Sequence, residues 1–312
     1  MNLLGKEKKP FVFIIDFEEL SPLIFKLHEA EKHLFWSAPE AQNYQGKKPS
    51  EIKYWEISPV AFPQYKKGFG LIQKHIRHGD SFLLNYTQPT QVNTNLSLEE
   101  IFHSSQALYK IYLKDRFVCF SPEIFVRINN GKISSFPMKG TISANIPDAG
   151  IILKNDSKEL AEHNTIVDLI RNDMSTVSEN VCVEKFRYID KINTNKGELL
   201  QMSSQISGTL PENYAERIGD IVFRMLPAGS ISGAPKAKTV EIIKKTEGYA
   251  RGYYTGVFGY FDGQNLDSCV LIRFIENHQG QLIYKSGGGI THLSDCKAEY
   301  EEMIKKVYVP IA

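Results

Sequence analysis

The sequence predicts an α+β fold, and three observations carry that reading. Segments with strand and with helix periodicity follow one another in mixed blocks, without the regular strand-helix-strand alternation of a doubly wound parallel sheet. Asn129-Asn130-Gly131 supplies the positive-φ residues a hairpin turn wants, and Asp262-Gly263 and Gln279-Gly280 mark further turns between strand patterns. Ser97, Asp156 and Asp295 stand where helix N-caps are needed, the first two with a glutamate three residues on.

Taken in order, Phe11 to Phe17 reads as a short buried strand. Tyr65, Phe69, Ile72 and Ile76 recur at helical spacing until His78-Gly79-Asp80 stops the helix. Phe82 to Val92 is a strand, and the Ser97 and Glu100 pair opens a helix running to about Tyr109. Phe117 to Phe120, Phe125 to Ile128 and Lys132 to Phe136 alternate as strands. Asp156 caps a helix to about Asp173; Val181 to Phe186 and Ser203 to Leu210 are strands, and a helix spans about Asn213 to Met225. Gly229 to Lys236 is a loop opening onto a helix through Lys245. Tyr253 to Ile290 is rich in strands and ends at Gly287-Gly288-Gly289, after which Asp295 caps a helix to about Val307.

With 312 residues and 42% hydrophobic content the chain can bury a large core. It shows no internal repeat, low-complexity tract or Pro/Gly/Ser-rich linker, so one compact unit over 1–312 is expected. The 37 basic and 36 acidic side chains nearly cancel, so no broad basic face for nucleic acid or lipid headgroups is implied, and an anionic ligand must be met locally. Cys119, Cys182, Cys269 and Cys296 include no Cys-x-x-Cys pair, which argues against a zinc ribbon or redox dithiol and suits free thiols in a reducing cytosol. Phe11 to Ile15 is too short for the hydrophobic part of a signal peptide, and no stretch nears the roughly 18 apolar residues of a membrane span. A cytoplasmic protein is expected.

Several residues suggest chemistry. Lys139 lies in the punctuated segment Pro137-Met138-Lys139-Gly140-Thr141 directly after a strand, where a fixed backbone can aim a long amine inward; a surface lysine at a strand end is the ordinary alternative. As a nucleophile it needs burial or a neighbouring cation to keep the amine neutral. Glu162 shares a helix stripe with Ile166 and Leu169, so it faces the core and requires a partner, either a structural salt bridge or a metal. Glu159, one turn earlier, suits a capping box and could also support a metal site. Glu299, Glu302 and Lys306 form one stripe of the last helix, either a solvated face with an i,i+4 ion pair or a second set of oxygen ligands. Carboxylates without His or Cys suit a hard cation such as Mg²⁺. Gly287, Gly288 and Gly289 either make a tight turn or leave backbone N–H groups open to a carboxylate. Arg273, alone among Val270, Leu271, Ile272, Phe274 and Ile275, is either on the polar side of a half-exposed strand or a buried cation that grips a carboxylate. Gly229 to Lys236 lacks phosphate-loop spacing, although its small residues could still offer N–H groups to an anion.

The order of these features is more specific than any one of them. Ser121-Pro122-Glu123, then Pro137 to Thr141, then Ala161-Glu162-His163 with Ile166 to Asp173, then Gly229 to Lys236 succeed one another as in the chorismate-utilising enzymes. Arg251 to Gly256, Ile272-Arg273, Gly287 to Ile290 and Ala298 to Glu302 complete the series. The chain resembles that family from about Gly79 to Val307, with residues 1–78 as a shortened N-terminal part. The resemblance implies layered, mostly antiparallel sheets flanked by helices around a deep cleft, and Mg²⁺-dependent chemistry on chorismate. Where anthranilate synthases usually carry a small residue this chain has Lys139, in a Pro-x-Lys-Gly-Thr form similar to the aminodeoxychorismate branch. That similarity implies attack of Lys139 on ring C2 as the C4 hydroxyl leaves with help from the acid Glu123, then addition of ammonia at C4 and expulsion of the lysine. The product would feed p-aminobenzoate and folate synthesis. Mg²⁺ is implied at Glu162 and Glu302, with Glu299 through water. Arg273, Tyr254 and the amides of Gly287 to Gly289 are implied to hold the enolpyruvyl carboxylate, with Lys306 and Thr141 also at the substrate.

Three departures matter. Gln201 stands where many relatives have a histidine, Phe274 replaces a usual threonine, and the shortened start leaves no expected tryptophan site. No glutamine-hydrolysing domain is visible, so ammonia is expected from solution or from a separate glutamine amidotransferase subunit in a heterodimer. The rival readings are isochorismate or salicylate synthesis, with the lysine activating water, and a non-catalytic scaffold that activates a glutaminase.

Overall fold

The computed structural model describes residues 1–194 and 197–311. Among them the strands form two nine-stranded antiparallel sheets. The first runs Met138–Ser143, Gly197–Thr209, Lys132–Ser135, Ile124–Asn129, Leu266–Val270, Val257–Phe261, Phe11–Ile15, Leu23–Lys26, with Glu179–Thr194 also paired to Gly197–Thr209. The second runs Gly233–Ala234, Leu83–Thr94, Gln281–Ile290, Phe274–His278, Phe117–Ser121, Tyr109–Leu113, Leu34–Ala38, Ala41–Gln42, with Trp55–Pro59 beside Leu83–Thr94.

The layering follows from which faces are apolar. Phe11–Ile15 is apolar at every position because both faces are covered. Phe11, Phe13 and Ile15 pack in one core with Ile72, Ile166 and Ile221 of three helices. Val12 and Ile14 pack in a second core with Trp36, Ile111 and Phe117 of the other sheet. On that sheet's far side Tyr112, Val118 and Phe120 meet Ile101 and Phe102 of the helix Leu98–Ser104. The order is helices, sheet, sheet, helix, the α+β architecture expected from the mixed pattern.

The capped helices form as the sequence indicates. Ser97 Oγ accepts from the Glu100 N–H while Glu100 Oε2 accepts from the Ser97 N–H, a complete capping box. Asp156 Oδ1 accepts from the Glu159 N–H at 2.9 Å, and Asp295 Oδ1 accepts from the N–H groups of Lys297 and Ala298. No helix among the described residues is long and apolar enough to cross a membrane, and all four cysteines are free.

Four local expectations are corrected. The helix opened by Ser97 stops at Ser104, because Tyr109–Leu113, buried at all five positions, is wanted as a strand between two neighbours. Lys139 lies within a strand, Met138–Ser143, rather than in a turn after one. Gly287, Gly288 and Gly289 lie inside Gln281–Ile290, in register with Thr87, Tyr86 and Asn85, so they do not close the strand or form a tight turn. The apolar run Val270 to Ile275 is broken between Leu266–Val270 and Phe274–His278, with Arg273 at φ 54° in the break. Short strands such as Leu23–Lys26 and Leu34–Ala38 had no strong period of their own and exist because the sheets pair them.

Tyr109–Leu113 carries one unusual side chain. Lys110 is 7% exposed, with its Nζ 4.7 Å from the Phe102 ring centre and 5.4 Å from that of Tyr44. Burial lowers its amine to about 8. The unfolded chain therefore holds a proton that the folded chain releases between pH 8 and 10.5, so this group makes stability rise with pH across that window and costs stability below it. Lys110→Met is expected to stabilise the protein at pH 7 by on the order of 2 kcal/mol, after allowing for the lost cation–π contacts. Urea unfolding of both proteins at pH 7 and pH 10.5 checks this, since the advantage should shrink at the higher pH.

Candidate active site

A cavity of 530 Å³ draws its walls from both sheets and from the helices Ser157–Ser175 and Cys296–Lys305. Every residue assigned a catalytic, substrate or metal role from the sequence lines it: Glu123, Lys139, Thr141, Glu159, Glu162, Tyr254, Arg273, Gly287, Gly288, Gly289, Glu299, Glu302 and Lys306.

Lys139 and Thr141 reach the cavity through an irregularity. Lys139 is in register with Met202 and Thr141 with Gln201, so the ladder slips at Gly140, which adopts φ 72°. That positive φ strains any other residue at Gly140, and an added Cβ would also press on the ends of the Leu153 and Glu159 side chains, 2.9 Å from Leu153 Cδ1 and 3.3 Å from Glu159 Oε2. Lys139 Nζ donates to Glu162 Oε2 at 3.1 Å, and the lysine is mostly and the glutamate almost wholly buried. The nearest charged partner of this strand lysine is thus a carboxylate on the helix Ser157–Ser175. Gln201 also lines the cavity and donates to Met138 Sδ at 3.0 Å.

The paired glycines bring the two acidic helices together. A Cβ on Gly289 would sit 3.4 Å from both Glu162 Oε2 and Lys139 Nζ. One on Gly288 would sit 3.4 Å from Glu299 Oε2 and 3.6 Å from both Glu302 Oε1 and Lys306 Nζ. Lys306 Nζ lies 2.7 Å from Glu302 and donates to the Gly287 carbonyl at 2.8 Å, so the i,i+4 pair forms at the cavity lining with Glu302 still open to solvent. No three His, Cys, Asp or Glu side chains among the described residues are grouped closely enough to hold a metal as they stand. The donor chemistry nevertheless fits a hard cation, with carboxylates on two helices around a glycine cradle that side chains would fill. Gly288→Val is expected to block that cradle and abolish turnover while circular dichroism and the thermal midpoint stay near wild type.

Glu123, Arg273 and Tyr254 complete the polar lining. Burial raises the Glu123 carboxyl above its ordinary range, against the opposing pull of Ser230, Lys139, Lys306 and Arg273. Ser230 Oγ donates to Glu123 Oε1. Arg273, re-aimed by its positive φ, donates to the Lys306 carbonyl at 3.3 Å and lies 5.0 Å over the Tyr308 ring. Burial also raises the Tyr254 hydroxyl, keeping it a donor. Sequence reasoning missed Ser230, Asn85, Lys285 and Ser286 in the lining; only Ser230 had a signal, its place among the small residues of the Gly229 loop. It also missed His163, fully buried beside Glu162, whose Nε2 lies 2.6 Å from Ser204 Oγ and which burial lowers to about 4.

The family of chorismate binding enzymes matches residues 21–312. An uncharacterized PabA-like protein of Pasteurella multocida (strain Pm70) is 52% identical over 316 residues, covering 99% of this chain and 97% of that one. Aminodeoxychorismate synthase component 1 of Bacillus subtilis (strain 168) is 31% identical over 277 residues, 83% of this chain and 58% of that one. Anthranilate synthase component I from Streptococcus pneumoniae TIGR4 superposes with a TM-score of 0.69 at 26% identity, over 87% of this chain and 61% of that one. With a match spanning nearly its whole length, the chain belongs to the chorismate binding enzyme family.

Proposed function

We propose that the protein aminates chorismate at C4, forming 4-amino-4-deoxychorismate toward p-aminobenzoate and folate. The observation that carries this reading is Lys139, an amine inside the same cavity as the raised carboxyl of Glu123, so that a nucleophile and an acid can address one bound ring. Lys139 attacks C2, Glu123 gives its proton to the departing C4 hydroxyl, and ammonia then adds at C4 and expels the lysine. Arg273, Tyr254 and whichever amides of Gly287 to Gly289 point away from the neighbouring strand Leu83–Thr94 hold the enolpyruvyl carboxylate, with Thr141 and Lys306 at the substrate. Mg²⁺ would be held by Glu162, Glu302 and Glu299, with Glu159 behind them. When bound it would neutralise the ring carboxylate and leave Lys139 beside positive rather than negative charge. Ammonia comes from a separate glutamine amidotransferase subunit, a reading supported by similarity to a protein named as a component 1.

The test is to incubate the protein with chorismate, Mg²⁺ and ammonium and identify products by mass. A nitrogen-bearing product isomeric with 4-amino-4-deoxychorismate is expected. Isochorismate or salicylate without nitrogen would sink the amination reading.

A further inference from the structure

Ser230 and Glu123 line two cavities, not one. Beyond the 530 Å³ cavity they also bound a second of 20 Å³. That volume exceeds the roughly 10–15 Å³ one water molecule requires, and Asp173 and Ser135 add polar lining to that of Glu123 and Ser230. Asp173 marks the outer end: its Oδ2 accepts from Lys236 Nζ at 2.6 Å, and its side chain keeps 14% exposure.

We propose that a water molecule in this small cavity, together with Ser230 and Asp173, forms a proton relay that recharges Glu123 from solvent after each turnover. The inference rests on Glu123 acting as the acid of the reaction proposed above. When the C4–O bond breaks, its electron pair leaves with the oxygen, which takes the Glu123 proton and departs as water, so Glu123 becomes a carboxylate. Ammonia adds at C4 and keeps its three hydrogens as an ammonium group, while Lys139 departs carrying the same number of protons with which it began. One proton must therefore enter from outside in each cycle. With substrate in the large cavity, the small one gives Glu123 a second face to water. Asp173 passes a proton to the cavity water, and the water passes one through Ser230 to Glu123, where a new O–H bond forms. Asp173 is then reprotonated at its exposed edge. Burial raises the Asp173 carboxyl, as it does that of Glu123, so the two ends of the relay are displaced in the same direction.

The test compares Asp173→Asn, Ser230→Ala and Lys236→Met in the full chain, with chorismate, Mg²⁺ and ammonium. The first two are expected to lower kcat by about tenfold or more while leaving KM for chorismate near wild type, and to increase the solvent deuterium isotope effect on kcat. Lys236→Met breaks the same ion pair but keeps the carboxyl, so its isotope effect should match wild type. Equal losses in Asp173→Asn and Lys236→Met, with no change in isotope effect, would make Asp173 only a structural partner of Lys236 and overturn the relay. A high-resolution crystal structure supplies an arm independent of activity: a water within hydrogen-bonding distance of Ser230 and Asp173 supports the relay, and a dry cavity overturns it. The wild-type product is identified alongside. A product that has lost the C4 hydroxyl without gaining nitrogen sinks the amination reading alone, because Glu123 must still be recharged; unreacted chorismate sinks both.

Discussion

Lys139→Ala is expected to lower kcat for amine formation on the order of 10³-fold, with ammonia supplied directly as well as with glutamine and a partner subunit. The reason is that, among the described residues, no other lysine in the cavity lining stands where Lys139 does: Lys306 is tied to Glu302 and the Gly287 carbonyl, and Lys285 to Glu276 and the Arg251 carbonyl. Using free ammonia separates catalysis from partner activation, since a scaffold that merely stimulates a glutaminase would lose nothing. The change also takes from the buried Glu162 the cation 3.1 Å away, so a loss of about 1–3 kcal/mol in stability is expected in denaturant titration. Unchanged amine formation in a folded variant would remove the covalent step from the mechanism.

Glu123→Gln carries the second large effect, a fall in kcat of about 10²- to 10⁴-fold with KM for chorismate little altered. Glutamine keeps the volume and can still accept from Ser230 Oγ, so the wall of the cavity is preserved and what disappears is the donated proton. A change confined to KM in steady-state kinetics would mean that Glu123 binds substrate without protonating it.

Much of the fold was legible because strong local signals agreed with the tertiary demand. The Ser97 box, the Asp156 and Asp295 caps and the Asn130-Gly131 turn, with φ 49° and 81°, are decided within a few residues, and they form as written. The Ser97 helix was read about one turn too long because its start has a local signal and its end has none, while the pairing that makes Tyr109–Leu113 a strand comes from Leu34–Ala38 and Phe117–Ser121. Site residues were legible where their chemistry clashed with their pattern, as with Glu162 on a core stripe or Arg273 in an apolar run. Ser230 and His163 had no such clash and needed a neighbour from another element to acquire meaning.

The sequence by itself determined the α+β class, the caps and turns, and the order along the chain of the residues whose chemistry marks them as candidates, since these depend on residue type and short-range spacing. Only the tertiary structure decided that Lys139 meets Glu162, that Gly288 and Gly289 pass between the acidic helices, and that Glu123 stands between two cavities. Those facts join residues far apart along the chain. Their partners are fixed by strand register and by the packing of helices on the sheets, which no local signal specifies.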